Sequence, residues 1–61
     1  PATVAWLCEE LGELAQAVRK GTRDQQVHEF GDVLAWLASL ANQCNITLDE
    51  AMERYRTDPP L

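Results

Sequence analysis

The stretch WLCEELGEL, residues 6–14, decides how this chain folds. Leu7, Leu11 and Leu14 recur at the i, i+4, i+7 spacing of one helix face, while Glu9, Glu10 and Glu13 fall between them. A solubilising surface would pair such glutamates with lysine one turn away, yet the first basic residue is Arg19. Working outward, Val4 and Val18 extend the apolar stripe and strong helix formers fill the gaps, so the pattern predicts a helix over about residues 3–20. Arg19 and Lys20 suit its negative end, and Gly21 is expected to stop it in the left-handed conformation.

A second helix can begin at once. Thr22, with Asp24 and Gln25 following, supplies an N-cap, and Val27, Phe30, Leu34, Leu37 and Ala41 repeat with helical spacing to about Gln43. So short a connection makes the two helices antiparallel neighbours in an αα-hairpin. The segment NQCNI, residues 42–46, breaks the pattern, and Thr47-Leu48-Asp49-Glu50 is a capping box for a third helix. Ala51, Met52 and Tyr55 give that helix its apolar contacts. Its end is expected near Arg56 or Thr57, because Asp58 precedes Pro59 and Pro60. Nothing reads as a strand, a repeat or a low-complexity tract.

Sixty-one residues make one domain at most, and a chain of that size buries only about 60% of the surface its unfolded form exposes. Cys8 and Cys44 do not have the spacing of a metal knuckle or a disulfide framework, so stability must come from helix packing or assembly. The expected fold is all-α: an antiparallel helical hairpin plus a third short helix, completed to a four-helix-type bundle by a second copy or by further chain. The segments Pro1-Ala2-Thr3 and Pro59-Pro60-Leu61 contain no closing element, so residues 1–61 read as a single helical domain truncated at both ends.

Ten acidic against five basic side chains give a net charge of −5, which repels phosphate backbones and argues against nucleic-acid binding. No apolar run approaches the roughly 20 residues that span a bilayer, and no signal-peptide pattern opens the chain. A cytoplasmic protein with no membrane partner is expected. Asn45-Ile46-Thr47 matches the N-glycosylation triplet, a match common by chance.

At 100° per residue, Glu10 lies about 70° and Glu13 about 130° to one side of the leucine stripe, while Glu9 points away. HEFGDVLAW, residues 28–36, repeats the arrangement with Glu29 and Asp32 beside the stripe of Phe30, Leu34 and Leu37. In a hairpin turning at Gly21, Glu10 and Asp32 lie equally far from the turn, as do Glu13 and Glu29, and Trp6 and Trp36. Four carboxylates therefore meet in one cleft. Held together and partly desolvated they raise one another's pKa values, a cost without return unless cations are bound. An all-oxygen cluster suits Mg²⁺ first and Mn²⁺ next. The plainer alternative is a pair of solvated helix faces. A di-iron site is not expected, because His28, the sole histidine, precedes Glu29 instead of following it at the Glu-x-x-His spacing.

These motifs resemble the MazG family of all-α nucleoside triphosphate pyrophosphohydrolases. The family pattern EExxE followed by ExxD appears as Glu9-Glu10-Leu11-Gly12-Glu13 and Glu29-Phe30-Gly31-Asp32, and the resemblance runs from residue 6 to about 55. It implies that Glu10, Glu13, Glu29 and Asp32 hold Mg²⁺, and that an NTP or dNTP is hydrolysed between the α and β phosphates to a monophosphate and pyrophosphate, clearing surplus or aberrant nucleotides. Glu9, or one of the four at a given stage, would orient the attacking water or take its proton. The alternatives are phosphoribosyl-ATP pyrophosphohydrolase, or a non-catalytic acidic module for helical oligomerisation. Residues 1–61 contain neither the helix that precedes the first motif in the family nor the lysine-asparagine-arginine set that follows the third helix, so the base is not specified.

Trp6 and Trp36 flank the cleft and could stack on a base, although core or interface packing is the commoner use of tryptophan. Arg54 could approach a substrate phosphate from a neighbouring subunit of a dimer or tetramer. Arg19, Lys20 and Arg23 are explained by capping and dipole roles and lie more than a turn from Glu13. Cys8 and Cys44 are expected to be small buried or boundary residues. Gly12 and Gly31 each cost close to 1 kcal/mol inside a helix, which suggests close helix approach or room for a ligand.

Overall fold

Two residues between Lys20 and Arg23 turn the chain back on itself. The computed structural model describes residues 1–57, with α1 at Ala2–Lys20, α2 at Arg23–Gln43 and α3 at Leu48–Met52, the last continued by a 3-10 turn at Glu53–Tyr55. Thr22 and Gln25 form the reciprocal cap of α2: the Gln25 N–H donates to Thr22 Oγ1 at 3.2 Å, and the Thr22 N–H donates to Gln25 Oε1 at 2.8 Å. Gly21 is not left-handed, as expected, but extended, with φ −95° and ψ 170°. Its need for glycine is one of space. A Cβ there would lie 2.8 Å from the Ala17 carbonyl oxygen and 2.9 Å from both Ala17 Cα and Gln25 Oε1.

The left-handed residue is instead Asn45, with φ 58°. It ends α2 in a Schellman arrangement, in which the Ile46 N–H donates to the Ala41 carbonyl at 2.9 Å and the Asn45 N–H to the Asn42 carbonyl at 3.1 Å. The capping box of α3 forms as its sequence dictates, with Glu50 N–H to Thr47 Oγ1 at 3.1 Å and Thr47 N–H to Glu50 Oε1 at 2.8 Å. The α-helix stops at Met52, short of the expected Arg56 or Thr57, and tightens to 3-10 geometry. Five residues cannot sustain an isolated helix, and α3 packs on its own 3-10 turn while barely touching the hairpin. The Asp58-Pro59-Pro60 stop signal lies outside the described residues.

Within the hairpin, α1 is buried or half-buried at Thr3, Leu7, Glu10, Leu14 and Ala17, and α2 at Gln26, Glu29, Asp32, Val33, Trp36, Leu40 and Ala41. The α1 positions, and Gln26, Glu29, Val33, Trp36 and Leu40 of α2, alternate steps of three and four, the seam of paired antiparallel helices. Gln26 Nε2 donates to the Ala17 carbonyl at 3.1 Å near the turn, and Trp6 meets Trp36 with ring centroids 4.9 Å apart farther along.

This seam corrects the expected core stripe. Leu7 and Leu14 enter it, but Val4, Leu11 and Val18 of α1 and Phe30, Leu34 and Leu37 of α2 stay exposed, Leu34 at 56%. Their spacing places them on one side of the hairpin, away from Glu13 and Asp32. Gly12 and Gly31 make no close helix approach within the chain, since a Cβ on either would meet nothing within 4 Å. Cys8 and Cys44 are free and exposed, not buried or at a boundary. Among the described residues no helix is long and apolar enough to cross a membrane.

Candidate metal centre

The seam carries carboxylates where leucines would ordinarily sit. Glu10 lies between Leu7 and Leu14 on α1, and Glu29 lies between Gln26 and Val33 on α2, so the heptad-like spacing turns both toward the helix contact. Glu13 and Asp32 flank them on the polar side. Ligand oxygens of Glu10, Glu13 and Glu29 all lie within 4.8 Å of one another, and a second trio at the same spacing comprises His28, Glu29 and Asp32. The four acids expected at the cleft fall into these two groups, which share Glu29; Asp32 is grouped with Glu29 and not with Glu10 or Glu13.

The electrostatics show how unfavourable this arrangement is without a cation. Burial pushes the Glu10 carboxyl up to about 7, helped by a hydrogen bond with Glu13 and by the charges of Glu13, Asp32 and Glu29. No lysine or arginine pairs with any of them: among the described residues the ion pairs are His28 with Asp32 and Arg56 with Glu53. Glu10 Oε2 and Glu29 Oε1 are moreover buried with no hydrogen-bond partner. An acceptor left unsatisfied away from water is destabilising, the more so if it is charged. Two such oxygens facing one cluster fit a hard divalent cation, which takes carboxylate oxygens as ligands.

His28 is the residue the sequence reading left out. Its Nε2 lies 3.2 Å from Asp32 Oδ2. The signal was available in the i, i+4 spacing of His28 and Asp32, which places them one turn apart on the same helix face. Lys20 also stands closer than expected. Glu13 and Glu29 line an open cavity of about 340 Å³ that reaches the turn, where Gln16, Lys20, Gly21 and Gln25 complete it.

The other candidates lie at or beyond the margin. Glu9 is exposed, one turn before Glu13 and outside both trios. Trp6 is 48% exposed and Trp36 half-buried, their rings tilted by 55° where they meet. Arg54 is engaged with Tyr55, to whose hydroxyl it donates and over whose ring its Cζ sits at 4.7 Å.

A family model described as the MazG nucleotide pyrophosphohydrolase domain matches residues 1–56. Among curated proteins, the uncharacterized protein YpjD of Bacillus subtilis (strain 168) is similar, with 44% identity over 63 aligned residues that cover 87% of this chain and 57% of the relative. The chain thus spans little more than half of that relative's length. No solved structure matches the chain.

Proposed function

The chain belongs to the MazG nucleotide pyrophosphohydrolase domain family, and we propose that it is a Mg²⁺-dependent hydrolase that cleaves an NTP or dNTP between the α and β phosphates to give a monophosphate and pyrophosphate. The observation that carries this reading is the pair of buried, unpartnered oxygens, Glu10 Oε2 and Glu29 Oε1, within a carboxylate cluster that no lysine or arginine neutralises. Glu10, Glu13, Glu29 and Asp32 would hold the ion, with Mn²⁺ as a substitute. When bound, it would neutralise the triphosphate and lower the pKa of an attacking water.

The remaining work falls to the chain's own side chains. Glu9, exposed one turn from Glu13, or one of the four at a given stage, would orient the water or accept its proton. The exposed Trp6 offers a face for the base beside Trp36. Lys20, lining the same cavity as Glu13 and Glu29, offers positive charge to the far end of the polyphosphate. Arg54 would serve only from another subunit.

Assembly belongs to the same proposal. Val4, Leu11, Phe30 and Leu34 expose an apolar face that a second copy of the hairpin would cover, giving the four-helix bundle of a dimer or tetramer. Pyrophosphate release across a panel of NTPs, dNTPs and phosphoribosyl-ATP tests the reaction. Mg²⁺-dependent release from at least one nucleotide is expected, and the nucleotide preferred identifies the substrate. No release from any member would leave the oligomerisation module as the reading.

A further inference from the structure

We propose that the cavity at the hairpin turn binds a diphosphate unit, free or as the tail of a nucleoside triphosphate, with Lys20 and Gln25 as its donors. This rests on the metal-binding reading above and gives the substrate a direction, its phosphate chain running toward the turn. The cavity, about 340 Å³, extends from Glu13 and Glu29 past the buried Ala17 to Lys20, Gly21 and Gln25.

Acceptors near the turn are already spent. The Ala17 carbonyl takes the Gly21 N–H at 2.8 Å and Gln26 Nε2 at 3.1 Å. Gln25 Oε1 takes the Thr22 N–H at 2.8 Å, which fixes the amide and leaves Nε2 as its atom free to donate. Lys20 belongs to neither of the ion pairs formed among the described residues. What this end offers a ligand is therefore donors and a positive charge, the chemistry that recognises an anion. Gly21 keeps the wall bare, since a Cβ there would lie 2.9 Å from Gln25 Oε1 and displace the amide.

Size narrows the class of ligand. Pockets for drug-sized molecules run from about 300 to 1,000 Å³, so this one, near the lower limit, suits two linked phosphates better than a whole nucleotide. A diphosphate presents oxygens at one end to a cation on Glu13 and Glu29 and negative charge at the other to Lys20. Orthophosphate reaches only one of the two.

Calorimetry with Mg²⁺ equal in cell and syringe measures the affinity for inorganic pyrophosphate and for orthophosphate. Pyrophosphate is expected to bind at least about tenfold more tightly. Lys20→Met and Gln25→Glu are each expected to weaken pyrophosphate about tenfold, and to change the affinity for Mg²⁺ alone by no more than about twofold. Gln25→Glu keeps the reciprocal cap with Thr22, so an unchanged thermal melt separates the lost donor from a damaged turn. Pyrophosphate binding that either variant leaves intact, or that is no tighter than orthophosphate binding, overturns the inference while Mg²⁺ binding keeps the carboxylate site. Absence of Mg²⁺ binding by the wild type overturns this inference and the metal-binding reading together.

Discussion

Gln43 Nε2 donates to Thr3 Oγ1 at 2.6 Å, tying together residues forty apart in sequence at the open end of the hairpin. Thr3 is only 5% exposed, so its hydroxyl has little access to water as a substitute partner. Thr3→Val, which keeps the shape and removes the acceptor, is expected to cost about 1–2 kcal/mol in urea unfolding. A double-mutant cycle with Gln43→Leu should recover a coupling of about 0.5 kcal/mol or more. Strict additivity would show that the bond contributes nothing in solution.

The three glycines should respond in opposite directions. Gly21→Ala forces a Cβ to 2.8 Å from the Ala17 carbonyl oxygen and is expected to destabilise by about 1–3 kcal/mol through overpacking, although its backbone angles suit alanine. Gly12→Ala and Gly31→Ala meet nothing within 4 Å and should each stabilise the isolated hairpin by up to about 1 kcal/mol. Thermal melts of the three variants check the signs. A loss at Gly12 or Gly31 would mean that a second copy or a ligand occupies that space.

The Glu10 carboxyl imposes a pH dependence whose sign can be worked out. Its pKa is raised from 4.5 to about 7 in the folded chain. Below pH 4.5 both folded and unfolded chains hold the proton, and the group has no effect. Between 4.5 and about 7 the unfolded chain releases the proton while the folded chain keeps it, so the metal-free fold loses stability as pH rises, and above about 7 the loss is complete. Denaturation of chelator-treated protein over this range should show the decline, and Glu10→Gln should flatten it. Because cations bind the deprotonated carboxylate, Mg²⁺ binding near pH 6 should release a proton, visible as a buffer-dependent binding enthalpy.

The exposed face made by Leu11, Phe30 and Leu34 predicts self-association. Sedimentation of the wild type should show a dimer or tetramer, and Leu34→Glu should shift it toward monomer and abolish the concentration dependence of thermal unfolding. A wild type that is monomeric at every concentration would contradict the bundle.

Much of this architecture was legible in local chemistry. Thr22 with Gln25 and Thr47 with Glu50 dictate helix starts that can be read directly, and equal distances from Gly21 placed Trp6 against Trp36. What misled was the broad leucine stripe. Hydrophobic periodicity records the sum of all apolar surfaces on a helix, and here it combined the seam at Leu7 and Leu14 with the outer face at Leu11 and Val18. Glu10 therefore occupies the seam itself, not its shoulder. The contact between His28 and Asp32 follows from their i, i+4 spacing on one helix face. The left-handed stop of α2 at Asn45 is also readable, since asparagine is the usual alternative to glycine at that position.

If Glu10, Glu13, Glu29 and Asp32 together hold a cation, calorimetric titration with Mg²⁺ will register it. Saturable binding to the wild type is expected, with a weakening of about tenfold or more in both Glu13→Gln and Asp32→Asn, one on each helix. Undetectable binding to the wild type, or binding that neither substitution weakens, would contradict it.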